Sequence, residues 1–316
     1  MKKTAICFTE NGRAVLDKLN SAAIAAGIEP VIISDDPLEV FVQKGFEENN
    51  ALIFTGAVGI AVRAIASYVK DKLADSPVIV IDDGADFVIP VLSGHAGGAN
   101  KIAQTIASLI DAVPVITTST DVNSAFSADV FAIENNLRIR NRDGIKKVSS
   151  KAIRDKAVTI SIKDYPPAGR VDVIVADETD REYDLLLSPK RYVVGIGLRK
   201  GKDPDELEDF VLSTLEDNGI DINDVYALAT IDLKENEPAL VRLRDRYRIP
   251  LIAFEAAVLE KAEGDFSSSG FVKDTVGVDN VCERAAALAA GAGAHLTVRK
   301  IKKDGMTFAV AEKRFG

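Results

Sequence analysis

Residues 78–100 read Val-Ile-Val-Ile-Asp-Asp-Gly-Ala-Asp-Phe-Val-Ile-Pro-Val-Leu-Ser-Gly-His-Ala-Gly-Gly-Ala-Asn, and the reading of the chain turns on them. Two β-branched apolar runs, Val78–Ile81 and Phe87–Leu92, flank Asp82-Asp83-Gly84, and Asp-Gly between such runs signals a tight turn. The second run breaks at Ser93-Gly94-His95 and restarts as a helical pattern from about Gly98. A strand that ends in a glycine-rich turn and opens a helix aims backbone N–H groups, and the positive end of the helix dipole, at one place. That place carries His95, one of only two histidines in the chain. The plainer reading is a hairpin followed by a strand-to-helix turn whose glycines serve close packing.

Toward the N-terminus the spacing predicts strands over 4–9, 30–34 and Ala51–Thr55, the last apolar throughout as buried parallel strands are. Helices are expected over 13–26, with Val15, Leu19, Ala22 and Ala26 on one stripe, and over 38–48. From Val58 onward Val58, Val62, Ile65 and Val69 keep helical spacing, which leaves Arg63 off the stripe. Beyond the central block come a helix over 98–111 and a strand over 114–118. Such alternation predicts an α/β sheet covered by helices, with functional residues in loops at the carboxyl ends of the strands.

After Asp121 the pattern loosens. Residues 138–156 are strongly basic, and such a run reads either as a solvated face or as a wall facing ligand carboxylates. Pro166-Pro167 and the acidic 177–184 mark a linker module with little core of its own. A second α/β domain then opens with a strand over 192–196. Asp203-Pro204-Asp205-Glu206 reads as a helix start, with an N-cap Asp and Pro at the first helical position. Strands over Val225–Ile231 and Leu251–Phe254, helices over 238–248 and 279–290, and a terminal hairpin (296–301 and 307–311) follow. The expected fold class is α/β: an N-terminal α/β domain over 1–137, a middle linker module over 138–190, and a C-terminal α/β domain over 191–316.

Length and composition agree with this: 316 residues suit two cores, and 47% hydrophobic with 28% charged residues is ordinary globular material. No apolar run reaches the roughly 20 residues that span a bilayer, and the short apolar N-terminal run does not read as a signal peptide. The two cysteines read as buried thiols of a reducing cytosol, so a cytoplasmic protein is expected. Two Cys and two His on distant segments argue against a metal site. A net charge of −9 argues against nucleic acid. Gly195-Ile-Gly197-Leu-Arg-Lys-Gly201 only superficially resembles a dinucleotide fingerprint, since no acidic residue ends a second strand about 20 residues on.

Several stretches together carry a resemblance. Gly56-Ala-Val-Gly59-Ile-Ala-Val-Arg63, Ile81-Asp-Asp-Gly84, Ser93-Gly-His-Ala-Gly-Gly-Ala-Asn100 and Pro114-Val-Ile-Thr-Thr-Ser-Thr-Asp121 resemble the CbiG family of cobalamin biosynthesis. Val194-Gly-Ile-Gly-Leu-Arg-Lys-Gly201, Leu228-Ala-Thr-Ile-Asp-Leu-Lys234 and Val276-Gly-Val-Asp-Asn-Val-Cys-Glu-Arg284 are similar to that family's C-terminal half. The resemblance covers nearly the whole chain. It implies a cobalt-precorrin-5A hydrolase, which opens the δ-lactone of a cobalt-corrinoid and releases acetaldehyde to give cobalt-precorrin-5B. It further implies no cofactor beyond the cobalt carried by the substrate, no nucleic acid or membrane partner, and allows a homodimer. A non-catalytic corrinoid carrier would use the same glycine turns and arginines without a base.

On this reading His95 is the general base, because an unperturbed imidazole titrates near 6.5, and Asp82 or Asp83 orients it. Axial ligation of the substrate's cobalt is the alternative for His95. Ligand contacts are expected from Gly56, Gly59, Arg63, Gly94, Gly97, Gly98, Asn100, Thr117, Thr118 and Asp121, with backbone N–H groups of residues 94–98 as an oxyanion site. In the second half they are expected from Gly195, Gly197, Arg199, Lys200, Asp279, Asn280 and Arg284. Asn280 with Glu283 three residues later also reads as a capping box, which needs no ligand.

Overall fold

The computed structural model describes residues 1–154, 156–267 and 280–314 and divides into two compact units, Met1–Ser188 and Pro189–Gly316. The first unit begins with β1 (Lys3–Cys7), α1 (Glu10–Ala25), β2 (Ile32–Ile33), α2 (Leu38–Glu47), β3 (Ala51–Thr55) and α3 (Val58–Ile65). It continues through β4 (Val78–Ile81), β5 (Phe87–Leu92), α4 (Ala99–Ile110), β6 (Val113–Pro114) and α5 (Ser119–Val122). These strands form one sheet in the order β2-β1-β3-β4-β5-β6. β1 to β4 pair in parallel, β5 runs antiparallel to β4, and β6 runs parallel to β5.

Both faces of this sheet are covered, which is why β3 and β4 carry no polar alternation. Successive side chains point to opposite faces. Ile79 and Ile81 therefore pack with Leu16, Leu19, Ile106 and Ile110 of α1 and α4, while Val78 and Val80 pack with Phe41, Val42, Ala61 and Ile65 of α2 and α3. Each such side chain, fully buried, contributes roughly 1.5–3 kcal/mol of transfer free energy. The stripe of α3 differs from its expectation. Ala61 and Ile65 face the core, whereas Val62 is exposed and Val69 lies beyond the helix end.

Residues 128–189 are more than a linker. α6 (Ala128–Glu134), β7 (Leu137–Ile139), α7 (Arg142–Ile153), β8 (Ile160–Ile162), β9 (Val171–Val175) and β10 (Tyr183–Pro189) form a second sheet in the order β7-β10-β9-β8. Ala128, Ala132, Ile145, Val148, Val173, Val175, Leu185 and Leu187 make its core. The basic run follows the amphipathic pattern of α7: Ile145 and Val148 point inward, Lys146 and Lys147 outward, and Lys151 pairs with Asp172 at 2.7 Å.

The second unit comprises β11 (Tyr192–Leu198), α8 (Pro204–Asp217), β12 (Val225–Ile231), α9 (Pro238–Tyr247), β13 (Leu251–Phe254) and α10 (Ala256–Glu260). After the undescribed residues it ends with α11 (Val281–Ala290), β14 (His295–Lys303) and β15 (Met306–Glu312). The sheet order is β13-β12-β11-β15-β14, with β11 to β13 parallel and the last pair an antiparallel hairpin. Asp203 caps α8 as its sequence predicts, accepting from the amides of Asp205 at 2.9 Å and Glu206 at 3.1 Å. Among the described residues, no helix is long and apolar enough to cross a membrane.

Candidate functional site

The antiparallel turn between β4 and β5 decides which residues meet. β5 is six residues long, so it separates its two ends by about 20 Å. Asp82 and Asp83 lie at its start, with Gly56 and Arg63 near the carboxyl ends of the parallel strands. His95 lies past its finish, at the other end of the sheet, because Leu92 pairs with Val78 at the beginning of β4. The aspartates therefore do not orient the histidine. Asp82 closes its own turn by accepting from the amides of Phe87 at 2.6 Å and Gly84 at 3.2 Å, and Asp83 accepts from Thr9 Oγ1 at 2.6 Å.

His95 is held by a different set. After β5 the chain turns at Ser93 (φ 53°), whose hydroxyl donates to the carbonyl of Asp75 at 2.7 Å. The turn closes through Gly98 N–H to the His95 carbonyl and Asn100 N–H to the Gly94 carbonyl, both 3.0 Å. A Cβ at Gly97 would fall 2.5 Å from Ser93 Cβ and 2.8 Å from its carbonyl oxygen, and one at Gly94 would fall 2.7 Å from Asn100 Oδ1. These glycines serve close packing, and the Gly98 amide is already bonded, so it does not serve an oxyanion. Gly98 itself (φ 83°) adopts the left-handed backbone that precedes α4.

The parallel neighbour β6 delivers the remaining groups to the same end. Asp121 Oδ2 lies 2.6 Å from His95 Nε2, and Thr120 Oγ1 lies 3.1 Å from the same nitrogen. Asn100, buried at the start of α4, donates from Nδ2 to Asp121 Oδ2 at 2.9 Å and to Thr118 Oγ1 at 3.0 Å. Thr117 is exposed beside them. The other ring nitrogen, Nδ1, faces Ser127 Oγ at 3.3 Å and Asp129 Oδ1 at 3.5 Å. Ser127 in turn donates to Asp129 Oδ1 at 2.6 Å.

A ring whose two nitrogens both face oxygens is best satisfied when both carry protons. The electrostatics agree. Asp129 first, and Asp121 after it, raise the His95 pKa above its ordinary value and outweigh the opposing effect of burial. Asp121 makes the shorter contact, but Asp129 is the less exposed side chain (9% against 33%), so its charge is less screened. Burial pushes the Asp129 carboxyl upward, yet the His95 and Ser127 hydrogen bonds hold it well below the usual carboxylate range. Both ring nitrogens thus already face hydrogen-bonding oxygens, an arrangement any general-base role for His95 has to accommodate. With only 13% of its side chain exposed, it would have to break one of these contacts to reach a cobalt ion.

At the opposite end of the sheet, Arg63 and Gly59 are exposed, and a Cβ on Gly59 would fall 3.2 Å from Arg63 Nη1. Gly56 (φ 130°) uses backbone freedom that other residues lack.

In the second unit, several expected contacts turn out to be internal. A Cβ on Gly195 would fall 1.9 Å from the Cys282 carbonyl oxygen, and one on Gly197 2.5 Å from Thr307 Oγ1, so these glycines lie in β11 and let α11 and β15 pack close. Asn280 is fully buried and caps α11 through the Glu283 amide at 3.2 Å. Glu283, also fully buried, accepts from the amides of Ser267 and Lys300 at 2.8 Å each. The Arg284 guanidinium donates to the carbonyls of Leu259, Glu260 and Ala262 and stacks on Phe266. Arg199 and Lys200 are exposed at the carboxyl end of β11. Asp279 lies outside the described residues.

Sequence reasoning missed Thr120, Ser127 and Asp129. The signal for the last two was present only as Ser-Ala-Asp at residues 127–129, a short polar start to a helix that reads like any other.

Comparison with known proteins gives family matches in both units. The family described as Cobalamin synthesis G N-terminal matches residues 40–121, and Cobalamin synthesis G C-terminus matches residues 192–311. A cobalt-precorrin-5A hydrolase of Salmonella typhimurium is 36% identical over 77% of this chain and 77% of its own. One from Priestia megaterium is 30% identical over 84% of this chain and 79% of its own. A solved structure of a cobalamin biosynthesis protein G homolog from Sulfolobus solfataricus aligns over 99% of this chain and 97% of its own, at 22% identity and a TM-score of 0.42.

Proposed function

The chain belongs to the CbiG family of cobalamin synthesis, and from that premise we propose that it is a cobalt-precorrin-5A hydrolase centred on His95 and Asp121. Water adds to the δ-lactone carbonyl, and the bond from the acyl carbon to the ring oxygen breaks. Water's hydroxyl stays on the new carboxyl group and its proton is balanced by the one given to the displaced alkoxide. The freed hydroxyl then loses its proton, its carbon becomes the carbonyl of acetaldehyde, and the electron pair of the broken carbon–carbon bond passes into the macrocycle, which takes up the proton that Asp121 gained. Asp121 takes the proton from water. His95, as imidazolium, donates to the departing oxygen, and the two exchange roles for the second step.

The observation that carries this assignment is the 2.6 Å contact between His95 Nε2 and Asp121 Oδ2, a proton donor and a carboxylate where β5 and β6 end. Asn100 holds the carboxylate from the other side. The reaction needs no cofactor beyond the cobalt that the substrate carries, and the enzyme works in the cytoplasm. The test is anaerobic incubation of the purified protein with cobalt-precorrin-5A, followed by the mass of the corrinoid. Loss of the two-carbon unit is expected. Binding with unchanged mass would overturn the reading.

A further inference from the structure

We propose that Asp129, acting with Ser127, is a positioning residue that fixes the His95 ring and keeps a proton on it; the proposal rests on the hydrolase reading only for its effect on turnover. Asp129 belongs to α6 and falls between the stretches matched by the two family halves, 40–121 and 192–311. No sequence pattern therefore pointed to it. Its place in the fold does.

His95 sits on a glycine-rich turn, and its ring, 13% exposed, meets polar neighbours at both nitrogens. Nε2 faces the exposed Asp121 and the buried Thr120. Nδ1 faces the inner pair, Ser127 at 3.3 Å and Asp129 at 3.5 Å. The Ser127 hydroxyl accepts from Nδ1–H and passes its own hydrogen to Asp129 Oδ1, so the carboxylate reaches the ring both directly and through one hydroxyl. Asp129 is itself fixed, because Oδ1 also accepts from the Val130 amide at 3.1 Å. The charged groups acting on the ring are Asp121 from α5 and Asp129 from α6; α4 brings only the neutral amide of Asn100.

When a water or a lactone oxygen displaces Asp121 from Nε2, the inner contact is the one that remains. Nδ1–H then stays bonded, so the proton available for transfer is the one on Nε2. A buried carboxylate behind an imidazole commonly has this orienting function. An anchoring role in α6 alone predicts different data.

The experiment uses Asp129→Asn, with Asp129→Glu as the conservative variant and Ser127→Ala as a second perturbation that leaves the carboxylate in place. Because the chain holds only two histidines, the imidazole resonances of the free protein can be titrated by NMR and assigned with His95→Gln. Asp129→Asn is expected to lower the His95 midpoint by about 1–3 pH units, the usual effect of losing an adjacent opposite charge. Ser127→Ala should give a smaller shift, and Asp129→Glu should restore part of the midpoint. In turnover, the alkaline limb of kcat moves to lower pH by the same amount while KM stays within about twofold. An unchanged His95 midpoint in both Asp129→Asn and Ser127→Ala, with only thermal stability reduced, would overturn the proposal. The titration needs no substrate, so absence of acetaldehyde release from the wild-type protein would count against the hydrolase reading alone.

Discussion

His95 Nε2 and Asp121 Oδ2 are 2.6 Å apart, and each is held from behind, the imidazole by Ser127 and Asp129 and the carboxylate by Asn100. Three separate segments, the turn after β5, the start of α4 and the chain from α5 to α6, thus converge on one hydrogen bond. Hydrolysis of a lactone needs a proton acceptor for water and a donor for the leaving oxygen, and this bond joins one of each.

The same contacts make stability depend on pH. The His95 pKa is raised in the folded protein, so its contribution is full below the unfolded value near 6.5 and is lost as pH rises through the folded value. The Asp129 pKa is lowered, so its contribution is present above the unfolded value of about 4 and is lost as pH falls through the folded one. The pair therefore stabilises the protein most between about pH 4 and 6.5. Urea midpoints of wild type and Asp129→Asn across pH 3–9 should differ most in that window and draw closer as pH rises through the folded His95 value. A difference independent of pH would contradict the coupling.

Asp82 should prove structural. Its carboxylate closes the β4–β5 turn through two backbone amides, contacts that together are worth on the order of 1–3 kcal/mol. Asp82→Ala is expected to lower the unfolding free energy by that amount and to leave kcat within a few-fold of wild type. A loss of kcat on the scale of a catalytic residue, with stability unchanged, would return Asp82 to the chemistry.

Gly195→Ala tests the reading of the second unit's glycines. The added methyl would sit 1.9 Å from a backbone carbonyl of α11, which cannot swing aside as a side chain would. Overpacking of this kind costs about 1–3 kcal/mol. The expected result is that loss in denaturant unfolding. Wild-type stability with weakened corrinoid binding would favour a ligand contact at this glycine.

Much of the architecture was legible in the sequence. Val78–Ile81, Phe87–Leu92, Ala51–Thr55, Val225–Ile231 and Leu251–Phe254 are strands as expected, because short, mostly apolar runs bounded by turn residues have few other solutions. The middle sheet was not legible: its strands are short and separated by charged or proline-rich stretches, so no single window shows its core. The site was half legible. His95, Asn100, Thr118 and Asp121 do come together, but Asp82 and Asp83 were drawn to the histidine by proximity in sequence. An antiparallel hairpin puts its turn and its open end at opposite edges of the sheet. Asn280, Gly195 and Gly197 carry family-like motifs for packing reasons, and a motif alone does not separate a residue that touches ligand from one that lets two elements touch each other.

The most direct test of the account is acetaldehyde release from cobalt-precorrin-5A by wild type, His95→Gln and Asp121→Asn under anaerobic conditions. Wild type should release one equivalent per corrinoid. Each variant should fall about 10²–10⁴-fold in kcat, the range for loss of a general acid or base. Turnover within tenfold of wild type in either variant would show that the His95–Asp121 pair is not the catalytic centre.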